Sequence, residues 1–117
     1  MPPLACAAAL AVLEVIEQDG LLQRVATYGA AWKSELEKLV TEFPRQVRTV
    51  TGRGFMLGVV LHSDPAPYIA ALRDQGFLAP MAGGNTVRML PPLIATPPDL
   101  ARATAALRAV LAAKERA

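Results

Sequence analysis

Arg88 is the residue best placed by its neighbours to carry out recognition chemistry. It stands in Val87-Arg88-Met89-Leu90, a short run closed by Pro91-Pro92. Successive side chains of an extended strand point to opposite faces, so Arg88 is expected on the face opposite Val87 and Met89. The proline pair fixes where the strand ends. A guanidinium held in this way can grip a carboxylate through two parallel N–H···O bonds. On local pattern alone, a surface arginine or an internal ion pair is the commoner role.

The other candidates are weaker. Gly83-Gly84-Asn85 could bring backbone amides close to a phosphate, but such loops lead into a helix N-terminus and this one leads into a strand, so a plain turn is expected. Cys6 has only Ala and Leu around it and no charge to activate it, so buried packing is expected. His62 is the single histidine and Cys6 the single cysteine, which leaves no basis for a metal site, a disulfide or a histidine-dependent triad. His62 is expected in a loop or capping role. Lys33, Lys38 and Lys114 are the only lysines. All fall on solvated helical faces, unlike the desolvated amine that forms a Schiff base. Trp32 fits a core stripe. No catalytic, cofactor-binding or metal-binding residue is expected among them.

The elements that must position Arg88 can be read in order. Residues 4–17 are rich in Ala, Leu, Val and Ile without a polar stripe, so this helix should be buried against something. A domain this small has little to cover it with, which points to a missing domain or subunit. Asp19-Gly20 breaks the pattern. A second helix then runs to about Phe43, with Leu22, Val25, Gly29, Trp32, Leu36, Leu39 and Phe43 on one face, and Pro44 stops it.

Val47, Thr49 and Thr51 alternate with Arg48 and Val50 as a short strand, Gly52-Arg53-Gly54 forms a tight link, and residues 55–61 read as a buried strand. Gly58 inside that run points to another backbone passing close by. Asp64 and Pro65 start a helix that ends at Gly76. Residues 77–80 form a brief strand, 86–90 another, and Thr96-Pro97-Pro98-Asp99 caps a last helix that runs to about Lys114. Leu100, Thr104, Leu107 and Leu111 share its buried face. The expected fold is α+β, a small, mostly antiparallel sheet with helices on one side. A long helical segment spans 1–43 and a small α+β domain spans 44–117, effectively as one domain.

Composition narrows the function classes. The 117 residues are 53% hydrophobic, which argues against disorder. The net charge is +2 and the arginines are scattered, so no nucleic-acid footprint is expected. The apolar first stretch is interrupted by Glu14 and Glu17 and is too short to span a membrane, and it has no basic segment of the signal-peptide kind. A single thiol fits the reducing cytoplasm.

Three stretches together resemble the class III pyridoxal-phosphate aminotransferases, and most closely their acetylornithine branch. They are Pro3-Leu4-Ala5-Cys6-Ala7-Ala8-Ala9 with Val12-Leu13-Glu14-Val15-Ile16-Glu17, then Gly52-Arg53-Gly54-Phe55-Met56-Leu57-Gly58, then residues 83–93 around Arg88. Each is weak alone, but their order and spacing cover nearly the whole chain.

The resemblance implies a fold type I homodimer that moves an amino group between an amino acid and 2-oxoglutarate. It implies pyridoxal phosphate on a lysine of a large domain, and a chain equivalent to the carboxy-terminal small domain with the helix that leads into it. By the same resemblance Arg88 matches the arginine that reads the α-carboxylate of glutamate or 2-oxoglutarate, which reverses the local odds. The family's cofactor lysine, its aspartate under the ring nitrogen and its stacking aromatic have no match here, and Met1-Pro2 stands where the family has Gly-Gly-Asn. A chain without these parts is expected to be inactive alone and to need the missing large domain or a full-length homologue as its partner. A stand-alone dimerisation or interaction module is the alternative.

Overall fold

A computed structural model describes residues 3–77, 79, 81–82, 84–89, 91 and 94–116. Helices α1 (Pro3–Gln18) and α2 (Leu21–Glu42) come first, then strands β1 (Val47–Arg53) and β2 (Met56–Leu61), helix α3 (Ala66–Asp74), strands β3 (Met81–Ala82) and β4 (Thr86–Met89), and helix α4 (Pro97–Arg116). The sheet order is β1-β2-β4-β3 and every pairing is antiparallel. The α+β expectation therefore holds.

The core lies between one face of the sheet and the helices. Leu57, Val59, Leu61, Val87 and Met89 face Trp32, Leu36, Leu39, Leu107 and Leu111. The α2 stripe begins at Leu21 rather than Leu22, which is 70% exposed. Steps of three and four back from Trp32 through Gly29 and Val25 reach Leu21, one residue and about 100° away from Leu22. The Trp32 indole N–H donates to the Thr104 hydroxyl at 2.9 Å, which satisfies the one polar group that this aromatic carries into the core.

The strands depart from the simple alternation in three places. First, Val47 and Val50 are both buried, three residues apart, because the register shifts between Val47 and Thr49. An extra residue there flips the phase of all that follows. Second, β1 runs on through Arg53, which pairs with Met56, so the tight link is the two-residue turn Gly54-Phe55 with Gly54 at φ 57. Third, the strand expected at 77–80 lies at Met81–Ala82. Ala82 pairs with Thr86, which leaves a three-residue connection, with Gly84 at φ 71. Leu78, Pro80, Gly83, Leu90 and Pro92 lie outside the described residues.

Helix α4 starts with the expected reciprocal cap. The Thr96 N–H and hydroxyl each donate to Asp99 Oδ2 at 2.9 Å, and the Asp99 N–H donates to Thr96 Oγ1 at 3.4 Å. These bonds from Thr96, with Arg102 adding to them, hold the Asp99 carboxyl below its ordinary value of 3.8. A carboxyl whose folded pKa is depressed stabilises the fold fully above its unfolded value and loses that contribution as pH falls through the folded one. Asp99→Asn is therefore expected to flatten the acid-side decline of the urea midpoint below about pH 3.8. Identical declines for the two proteins would refute this.

Helix α1 contrasts with the rest, since it has no buried residue. Leu4 is 82% exposed, Leu10 60%, Val12 59% and Leu13 57%. The apolar helix that should be covered is bare in this chain. Cys6 is exposed with it, contrary to the packing expected from its apolar neighbours, because nothing folds over that helix. Among the described residues, no helix is long and apolar enough to cross a membrane.

Candidate functional site

Arg88 stands on β4 between buried Val87 and buried Met89, exposed on the opposite face of the strand. The alternation of the sequence is thus the alternation of the structure. Among the described residues no carboxylate pairs with its guanidinium: the ion pairs join Glu35 to Lys38, Asp99 to Arg102 and Glu42 to Arg108. Strand β3 pairs only with Val87 and Thr86, so at Arg88 the described partner strand lies on the β2 side alone.

Arg88 also borders a cleft of about 480 Å³, with Trp32, Phe77, Met89 and Leu100 among its walls. That volume is in the range of small-ligand sites. Most of the lining is apolar. The acidic side chain at the rim, Asp99, is already committed to the α4 cap and to Arg102. Arg88 stands at the border of this cleft with its side chain exposed on the other face of the strand, and it is the unpaired cation there among the described residues.

Arg24 is a residue that motif reading did not single out. One of its guanidinium nitrogens donates to the carbonyls of Ile94 and Ala95, each at 3.2 Å, and the group lies 5.3 Å from the centre of the Tyr28 ring. It ties the segment that follows Arg88 to α2 across seventy residues of sequence. No local pattern announces such a contact. Gly58 was readable as a point of close approach, but its neighbours are the side chains of Thr86 and Thr51, not a passing backbone.

The remaining candidates are dispersed. His62 is exposed at the end of β2, and its backbone N–H donates to the Gln46 carbonyl at 3.0 Å. Gly84 and Asn85 belong to the connection into β4, not to a helix start. Lys33 donates to the Gly52 carbonyl at 3.0 Å, Lys38 pairs with Glu35 at 2.8 Å, and Lys114 lies 4.8 Å from the centre of the Tyr68 ring. A pyridoxal-type cofactor needs a desolvated amine, an acid for the ring nitrogen and an anion cradle in one place. These lysines are spread over the surfaces of three different neighbourhoods and do not fit that group.

Comparison with known proteins gives one consistent answer. The family described as Aminotransferase class-III matches residues 2–111. An acetylornithine aminotransferase of Gloeobacter violaceus is 41% identical over 94% of this chain, and the match covers 28% of that protein. An ornithine aminotransferase of Staphylococcus epidermidis is 36% identical over 94% of this chain and 27% of its own length. The crystal structure of acetylornithine aminotransferase from Elizabethkingia anophelis superposes with a TM-score of 0.88 at 30% identity, over 94% of this chain and 28% of that one. The chain thus spans a little over a quarter of the length of the relatives it matches.

Proposed function

Because the chain belongs to the class III aminotransferases, we propose that it forms the carboxy-terminal part of an acetylornithine-type enzyme, in which Arg88 binds the α-carboxylate of the amino acid and of 2-oxoglutarate. The reaction is amino-group transfer between an N-acetylornithine-like ω-amine and 2-oxoglutarate, a step of arginine biosynthesis in the cytoplasm. One observation carries this reading: a strand-held arginine with no acidic partner among the described residues, in a chain whose relatives are named for amino transfer.

The division of labour follows from what these residues can and cannot do. Arg88 supplies a forked donor that binds and orients a carboxylate. Arg24 holds the segment that follows it. The electron-sink chemistry is supplied by pyridoxal phosphate, held by the large domain that this chain does not span. That domain, in a homodimer, would cover the apolar surface of α1. The chain alone is inactive for want of the cofactor lysine.

The test is the intact mass and the activity of the polypeptide as it occurs in its source cell. The expected result is a mass several times 12.4 kDa, with amino transfer from N-acetylornithine to 2-oxoglutarate. A 12.4 kDa species that forms dimers and transfers no amino group would replace this reading with that of a stand-alone interaction module.

A further inference from the structure

The sheet register places Arg88, Gly58 and Thr51 in one row across β4, β2 and β1. Directly paired residues of an antiparallel sheet share a face. Arg88 lies opposite the core residues Val87 and Met89, so this row lies on the face turned away from the helices.

Gly58 is buried in the middle of that row. A Cβ on it would lie 2.8 Å from Thr86 Cγ2 and 3.1 Å from Thr51 Oγ1. Its φ is not in the left-handed region, so the backbone does not demand glycine there. Space demands it. The Thr51 hydroxyl leans toward this gap, and among the described residues it has no hydrogen-bond partner.

A carboxylate offers about four acceptor positions on its two oxygens. A bidentate guanidinium occupies two of them, and a partly desolvated anion needs donors for the others. Thr51 and Arg88 stand two strands apart, about 10 Å between backbones. An arginine side chain and a carboxylate together span that distance when no side chain stands between them.

We infer that Thr51 is a further binding residue, whose hydroxyl donates to the carboxylate held by Arg88 across the gap that Gly58 keeps open. The inference rests on the reading of Arg88 as the carboxylate-binding residue. It assigns the open face of β1 and β2, and not β4 alone, to recognition of the substrate carboxylate. Thr86, on the other flank of Gly58, turns its methyl group toward the gap and walls it.

The experiment is calorimetric titration of the complete, cofactor-loaded aminotransferase with glutarate, an unreactive dicarboxylate. The proteins are the parent enzyme and its Thr51→Val, Thr51→Ser, Gly58→Ala and Arg88→Ala variants. Valine has the shape of threonine without the hydroxyl, and Thr51 is exposed, so this variant keeps the fold; circular dichroism verifies it.

Thr51→Val is expected to weaken glutarate binding about tenfold, Thr51→Ser to bind like the parent, and Gly58→Ala to weaken binding by closing the gap. Parent-like binding by Thr51→Val alongside a large loss in Arg88→Ala overturns the role of Thr51 and leaves that of Arg88 intact. Loss in Thr51→Val that serine does not restore also overturns it. Parent-like binding by Arg88→Ala removes the reading on which the inference rests.

Discussion

Arg88→Ala in the complete enzyme is expected to lower kcat/KM of the glutamate half-reaction by about 10²–10³-fold. Truncating one partner of a desolvated, hydrogen-bonded charge pair costs about 2–5 kcal/mol, and each 1.4 kcal/mol is a factor of about ten. Arg88 is exposed in this chain, and no described residue neutralises it. On the proposed function, its desolvation would come with the bound carboxylate and the large domain.

The effect of Arg88→Ala should therefore fall on the reaction and not on folding. The urea midpoint of the variant is expected to match that of the parent. Arg88→Lys keeps the charge but loses the planar fork, so it should lie between the two. Stopped-flow measurement of the half-reaction with glutamate decides the matter. An unchanged rate constant in Arg88→Ala would remove Arg88 from the binding site.

Gly29→Ala should have the largest effect on stability. In an ordinary helix interior this exchange gains about 1 kcal/mol. Here an added Cβ would stand 2.5 Å from the Gly54 carbonyl oxygen and 2.7 Å from both Gly54 C and Gly54 Cα. All three are backbone atoms, so no rotamer can yield. Gly54 is itself held at φ 57 in the β1–β2 turn, and it cannot swing away without opening the Arg53–Met56 pair.

Overpacking of this kind costs about 1–3 kcal/mol, and a contact between two backbones belongs at the upper end. After the gain in helix propensity is subtracted, the expected net loss is about 2 kcal/mol. It would be read as a lower urea midpoint with an unchanged slope. Gly76→Ala is an instructive contrast: nothing lies within 4 Å of the added carbon there, and the cost comes from φ 87 alone. A Gly29→Ala protein more stable than the parent would refute the close approach of α2 to the hairpin.

Much of the positioning machinery was legible in the residues themselves. The α2 stripe from Val25 through Trp32 to Leu39, the α4 stripe from Leu100 to Leu111, and the Thr96–Asp99 cap all follow from spacing within one element. So does the exposure of Arg88 opposite Val87 and Met89. Periodicity reports such features because each depends on neighbours a few residues away along the chain. The three family-like stretches also sufficed to indicate the aminotransferase class.

Other features lay beyond that reach. The shift between Val47 and Thr49, the placement of β3 at Met81–Ala82 and the turn at Gly54-Phe55 depend on which residues face each other across strands. One extra residue reverses every side chain beyond it, and no local pattern shows where the partner strand places it. The bond from Arg24 to the segment after Arg88, the contact of Gly29 with Gly54, and the row of Arg88, Gly58 and Thr51 join residues far apart in the chain.

The sequence by itself determined the element types, the buried stripes, the class of enzyme and the face of the strand on which Arg88 stands. The tertiary structure alone decided what stands beside that arginine across the sheet and where α2 closes on the β1–β2 turn. The first set depends on spacing along the chain. The second depends on register and close approach, which exist only once distant segments have met.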